Sequence, residues 1–389
     1  MFKISFLISA ITNFIIVISP GFQRTIPSIL APSSELGTTT VTQYILGLTI
    51  ASLIVTTTAT SMANVLFSRE KSIRQGTFSF ICADYLIISL LISTASETLK
   101  TILKLENTYP IELWAITWGF YQLSRTYLIS NQEKKLLVTL EIFAILIFTI
   151  LSITTHTYSI KKDYILLIPA ISLTPFIYIT FMKYSTRSKV NRLEYVQYSL
   201  SNICSLGPLM LSPTLISIYG AQSSIIIFSG QLVMVISVAS LSGRLLSNIY
   251  LPQMANCSGS KKTKIFNEFR NKNLKCTALI IPFSYTLISI FFHYQKGNFP
   301  ENGYIYISLC LSWFFFSQLQ LPYANYLVSA GNSKLILKSN ALSSILFFSL
   351  IGGTYFYSPT PTMIFFSLLL SAAFRFAYSS WHIKNIYSL

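Results

Sequence analysis

The sequence predicts an all-α integral membrane protein, with about 12 transmembrane helices in two six-helix halves and both termini cytoplasmic. Three observations carry that prediction. First, 52% of the 389 residues are hydrophobic and 10% are charged, with a mean hydropathy of +0.58, whereas an ordinary soluble chain carries about 25% charge. Second, the apolar residues fall into runs close to the roughly 20 residues that cross a bilayer as a helix. Third, the basic residues fall mainly in alternate connections between those runs, the pattern that orients a multispanning protein.

The elements follow in order. Lys3 precedes an apolar stretch to Pro20, and apolar character resumes from Gly21 to Leu30. Residues 5–30 therefore read as a first span kinked by Pro20, Gly21 and Pro27 rather than as a cleaved leader. Span 2, 39–62, runs up to the polar Arg69-Glu70 break. Span 3, 76–95, encloses Asp84, and span 4, 109–128, carries Trp118, Gln122 and Arg125. Span 5, 136–153, begins after Lys134-Lys135 and contains Glu141. Span 6, 164–182, lies between Lys161-Lys162 and Lys183. The break over 183–194 divides the chain into halves 1–188 and 189–389, an arrangement common among transporters built from repeats. Spans 7 and 8, 195–218 and 223–243, precede a basic connection over 245–274. Spans 9 to 12 are 276–293, 303–328, 339–357 and 362–381, the last enclosing Arg375.

With the N-terminus inside, 21 of the 28 Lys and Arg residues fall on the cytoplasmic side, and Lys100, Lys104, Lys161, Lys162 and Lys296 fall outside. This distribution assigns the net charge of +16 to membrane orientation rather than to nucleic acid. The five cysteines form no CxxC pair, and the three histidines lie far apart near span ends; neither a metal site nor a disulfide framework is expected. No nucleotide, metal or nucleophile motif occurs and no connection exceeds about 30 residues, so no cofactor is expected and an enzyme is disfavoured.

Ionisable groups inside hydrocarbon cost about 2.5–3.5 kcal/mol on insertion scales and are functional candidates by default. Arg24, just past the Pro20-Gly21 break, suits bidentate phosphate binding or snorkelling to the outer interface. Trp118, Gln122 and Arg125 follow i, i+4, i+7 spacing and share a helix face, which suits a polar cargo; Arg125 also fits ordinary positive-inside placement. Asp84 and Glu141 fit either ion coupling or structural pairing with a cation. Arg375 is expected to snorkel toward the inner surface.

The stretch "APSSELGTTTVTQYILGLTI" followed by "TSMANVLFSRE" resembles the start of polysaccharide-type flippases of the multidrug/oligosaccharidyl-lipid/polysaccharide exporter superfamily, on Glu35, Gly37, Arg69 and Glu70. The segment ending "LSGRLLSNIYLPQMA" resembles the end of that family's spans 7 and 8, and "LPYANYLVSAGNSKLILKSN" its span 10 to 11 hairpin. The chain departs from the pattern at Thr38 to Thr40 and is short for the superfamily. The resemblance implies a flippase that carries an undecaprenyl-pyrophosphate-linked oligosaccharide, such as an O-antigen unit, across the bacterial inner membrane by alternating access. Arg24 and Arg125 would then contact pyrophosphate, Trp118 and Gln122 sugar, and Asp84 a coupling ion or a structural partner. Polysaccharide polymerase and chain-length machinery would be partners. Two other readings stand beside it: a cation-coupled drug or small-molecule exporter of the same fold, and an O-antigen polymerase-type membrane enzyme. The polymerase reading is weakened by the short outer connections.

Overall fold

The computed structural model describes residues 15, 38–68, 72–102, 111–131, 133–157, 167–185, 188, 190, 192–255, 257–294, 299–330, 332–357 and 360–387, all helical or in short connections, with no strand among them. Apart from residue 15, span 1, and with it Arg24, lies outside the described residues. Each of the other predicted spans falls on a helix or a broken helix. The cause is that hydrocarbon offers backbone N–H and C=O groups no partner, so a crossing segment must satisfy them within itself. Among the described residues, eight helices are long and apolar enough to cross a membrane, with shorter apolar helices at Ile168–Met182 and Ser223–Val233.

The chain divides into two compact units, Met1–Ile203 and Cys204–Leu389. In the first, α1 (Thr38–Val55) passes through a π-helical turn, Thr56–Thr60, into α2 (Ser61–Asn64). Three consecutive threonines explain the widened turn. Thr56 Oγ1 donates to Ser52 O, and Thr57 and Thr58 both donate to Ile54 O, so side chains compete for the carbonyls of the helical ladder. Then come α3 (Arg74–Ile102), α4 (Ile111–Ser130), α5 (Lys134–Thr157), α6 (Ile168–Ser172) and α7 (Thr174–Met182). Span 6 is broken at Leu173 because Pro175 has no N–H for Ile171 O; Thr174 Oγ1 donates to that carbonyl instead, at 2.9 Å.

Helix α4 is the centre of this unit, packed against α1, α3, α5, α6 and α7. Surrounded by protein, it tolerates Gln122 and Arg125 where a lipid-facing helix would not. Its contact with α3 is close: a Cβ added to Gly119 would lie 1.8 Å from the Tyr85 hydroxyl oxygen, and that hydroxyl donates to Ala115 O at 3.0 Å. Helix α5 instead presents Phe143, Leu146, Ile150 and Ile153 outward, each at least half exposed. Such a stripe suits a surface that faces lipid.

The helix α8 (Arg192–Ile218) carries Pro208 and Pro213 and reaches into the second unit, which continues with α9 (Ser223–Ala239), α10 (Leu241–Ala255), α11 (Gly259–Tyr294), α12 (Gly303–Ser329), α13 (Ser333–Tyr357) and α14 (Pro361–Tyr387). Predicted span 8 breaks at Ser240, between α9 and α10. Helix α12 is the hub, packed against α9, α10, α11, α13 and α14. Gly243 lets α10 close on it, since a Cβ there would meet Gln318 Oε1 at 2.0 Å. The α13–α14 seam is small and polar, with Ser339 and Ser379 hydroxyls 2.9 Å apart and Ser343 donating to Ser371 O at 2.8 Å. Small hydroxylated residues are what close packing in a membrane favours.

At 36 residues, α11 is about 54 Å long against about 30 Å of hydrocarbon. Its first half sets Phe266 and Phe269 into a buried cluster with Tyr250, Met254, Tyr323 and Tyr326 and turns Lys261, Lys264 and Lys272 outward. Its second half exposes Leu279, Phe283, Leu287 and Ile290, as a lipid-facing segment does.

Candidate functional site

In the first unit, α4 and α5 bring together Trp118, Tyr121, Arg125 and Glu141. The Glu141 side chain is wholly buried, and Arg125 Nε lies 3.3 Å from its Oε1. Tyr121 Oη donates to the same oxygen at 3.0 Å. A carboxylate taken out of solvent persists only when cations and hydrogen-bond donors replace its water, and here Arg125 and Tyr121 serve in those two roles. Tyr121 is fixed by an edge contact with Phe176, at 4.7 Å between centroids, and by Trp118 at 5.4 Å. Behind it, Ser124 donates to Phe176 O and lies 2.8 Å from the Thr180 hydroxyl, which ties α4 to α7.

Trp118 is buried and, with Trp114, Leu48, Ala51 and Ser52, lines a cavity of about 10 Å³, room for about one water. Gln122 is half-buried on the same helix. Arg125 keeps 16% side-chain exposure, so its guanidinium is directed to Glu141 from near the edge of the unit. Asp84 is placed apart from this group. Its two oxygens accept from Arg192 Nε at 3.1 Å and Nη2 at 2.8 Å, a bidentate pair. Those hydrogen bonds and the carboxylate charge raise the Arg192 pKa further.

The π-helical turn is a second polar locus that the sequence did not reveal. Asn202 Nδ2 donates to Thr56 O at 3.3 Å and to Ser61 Oγ at 2.9 Å, and Ser199 Oγ donates to Thr57 O at 2.6 Å. Two polar residues on one face of α8 thus satisfy carbonyls that the wide turn leaves open. π-turns recur at functional sites, and the run of threonines was the available signal.

In the second unit Arg375 does not snorkel. It is 5% exposed, at the meeting of α8, α12 and α14. Nη1 donates to Ser205 O and Nη2 to Ser317 Oγ, each at 3.2 Å. The correction has a physical reason: α14 is covered by α12 and α13, so the side chain has hydroxyls and a carbonyl nearer than any water. Among the described residues no three His, Cys, Asp or Glu side chains cluster to hold a metal ion, and the five cysteines are free.

No family model and no curated protein matches the sequence. Solved structures match over nearly the whole chain. An inward-facing multidrug-resistance MATE family transporter of the MOP superfamily aligns with a TM-score of 0.63 at 10% identity, covering 97% of this chain and 96% of its own. The outward-facing conformation of a multidrug-resistance MATE family transporter gives 0.62 at 10% identity, covering 97% and 95%. A MOP superfamily transporter from Pyrococcus furiosus Vc1, whose reversed pocket polarity suggests a different function, gives 0.58 at 10% identity, covering 96% and 94%.

The chain has the MATE transporter fold.

Within that MATE fold the structure unites Trp118, Arg125 and Glu141 from the sequence-derived candidates and sets Asp84 aside with Arg192. Two partners went unread. Tyr121 stands one turn before Arg125 at i, i+4, a spacing that puts it on the same face. Arg192 falls in the break over 183–194, and nothing local in the sequence links it to a residue 108 positions away.

Proposed function

We propose that this chain is an alternating-access membrane transporter that exports a small molecule against a cation gradient. The observation that supports it is the likeness, over nearly the full length, to MATE transporters in both inward- and outward-facing conformations. Alternating access needs a group whose partners differ between states, since a ligand shifts a conformational equilibrium only through differential binding. Glu141 fits that requirement: a proton or sodium ion reaching it competes with Arg125 for the same oxygen. Asp84, paired with Arg192, offers a second coupling point, and Trp118 and Gln122 supply an aromatic and an amide surface for the solute. Transport needs neither catalysis nor cofactor. We place twelve spans in two halves, 1–188 and 189–389, in a bacterial inner membrane with both termini cytoplasmic.

The second reading, a flippase for an undecaprenyl-pyrophosphate-linked oligosaccharide, is favoured by charge. Residues 204–389 hold 12 Lys and Arg but only Glu268 and Glu301 as acids, which suits an anionic cargo. Arg24 and Arg125 would then hold the pyrophosphate, Trp118 and Gln122 the sugars, and polysaccharide polymerase and chain-length machinery would receive the product.

Proteoliposomes loaded with a cationic dye and given an imposed sodium or proton gradient test the first reading. Gradient-driven efflux that Glu141→Gln abolishes is expected. No efflux under either gradient, together with restored surface polysaccharide in a strain lacking its own flippase, would transfer the assignment to the second.

A further inference from the structure

The guanidinium of Arg375 is a buried cation that has no counter-charge among the described residues of its own unit. Among the described residues it forms two hydrogen bonds, to Ser205 O and Ser317 Oγ, and no ion pair. Nε is buried and has no partner. The second unit contains just two acids that could approach it. Glu268 is bonded to Lys272 at 2.7 Å and to Tyr250 at 3.0 Å. Glu301 stands ahead of α12, about 24 Å along the helix axis from Ser317.

A structural role accounts for part of this arrangement. Pro208 cannot donate to Cys204 O, and its ring disturbs the adjoining turn of α8. Ser344 Oγ takes Cys204 O at 2.5 Å while Arg375 takes Ser205 O, so the kink is capped from α13 and α14. Capping a carbonyl needs one neutral donor, however. A serine or an asparagine would suffice, and neither brings the desolvation penalty of a full charge. Of five guanidinium N–H donors, three are left over, and Nε–H lies beside one of them in the side-on fork that matches two oxygens of one anion.

We propose that Arg375, with the Ser317 hydroxyl beside it, forms an oxyanion-binding site in the second unit that takes a phosphate group. The site opens to its ligand when α14 and α12 part during the transport cycle, and the bound oxyanion supplies the counter-charge that the described residues of the unit do not. Phosphate chemistry of this kind arrives from a phosphorylated cargo or from an anionic lipid headgroup. The inference holds whichever cargo is carried, and its test reads binding rather than transport, so the two can fail separately.

The experiment uses the full chain in nanodiscs of phosphatidylcholine, with unfolding temperature followed by tryptophan fluorescence during titration of inorganic pyrophosphate at constant ionic strength. A parallel arm replaces pyrophosphate by phosphatidylglycerol in the disc. A saturable rise in the wild type is expected in at least one arm, the responding arm naming the source. Arg375→Gln raises the half-saturating concentration at least tenfold. Arg375→Lys keeps the charge without the fork and falls between, and it decides the matter if Arg375→Gln does not fold. Lys261→Ala/Lys264→Ala, which removes exposed charge on α11, leaves the response unchanged. A wild type without response in either arm overturns the proposal, as does a response that Arg375→Gln retains or, where that variant does not fold, one that Arg375→Lys leaves unaltered; in each case Arg375 is only the cap of the Pro208 kink.

Discussion

Replacing Arg125 by alanine removes a cation paired with the wholly buried Glu141. Breaking a buried pair from one side costs about 3–5 kcal/mol, because the remaining charge stays desolvated. Tyr121 Oη, at 3.0 Å, offsets part of that cost, since a hydrogen bond to a charged group contributes about 1.5–3 kcal/mol. The expected loss is therefore nearer 3 than 5 kcal/mol, which for a unit of this size lowers the unfolding temperature by roughly 6–12 °C. The same reasoning predicts recovery. Arg125→Ala/Glu141→Leu removes both charges and approaches wild-type stability, so the double-mutant cycle with Arg125→Ala and Glu141→Leu gives a coupling energy above about 2 kcal/mol. Thermal unfolding in nanodiscs, read by tryptophan fluorescence, measures all four corners. A single Arg125→Ala variant within about 1 kcal/mol of wild type, or a cycle that sums to zero, would refute the claim that Glu141 depends on this arginine.

Three further predictions follow from the packing. Gly119→Ala drives its new methyl group into the Tyr85 phenol and costs about 1–3 kcal/mol as overpacking; a variant as stable as wild type in the same thermal assay would mean α3 and α4 are not in close contact. Asn202→Ala strips the π-turn of two hydrogen bonds and costs about 1–2 kcal/mol, whereas the same change at the exposed Asn271 should leave the unfolding temperature unchanged. Asp84→Asn weakens a pair whose arginine is 69% exposed. Its effect on the unfolding temperature should be smaller than that of Arg125→Ala and should vanish in high salt; a salt-independent loss would show the pair to be buried.

The spans were legible because lipid imposes one constraint on every crossing segment, and apolar length reports it directly. Span 6 was legible as an apolar run but not as two helices, although Thr174-Pro175 carried the break in plain view. The site was only half legible. The face shared by Trp118 and Arg125 follows from local helical spacing, but the attachment of Asp84 to Arg192 and of Arg375 to Ser205 and Ser317 depends on which helices meet, and the order of residues along the chain does not encode that. Arg375 shows the point most sharply. Two turns from a predicted surface, its sequence neighbourhood fits snorkelling, and the helices α12 and α13 that cover α14 decide otherwise.

The π-helical turn also bears on how the chain tolerates change in length. A turn closed by i to i+5 bonds holds one residue more than the α-helical path needs, and one residue of helix corresponds to about 100° of rotation. Deleting a single threonine from Thr56–Thr60 would let the ladder close regularly over the same number of turns, and the helix downstream would keep its face. Met62, Ala63 and Val65, now almost fully enclosed, would stay enclosed, whereas a deletion in the regular helix before the turn would swing them away through that angle. The run of threonines thus acts as slack in the chain, a place where one residue can be lost without re-addressing the helical face that follows.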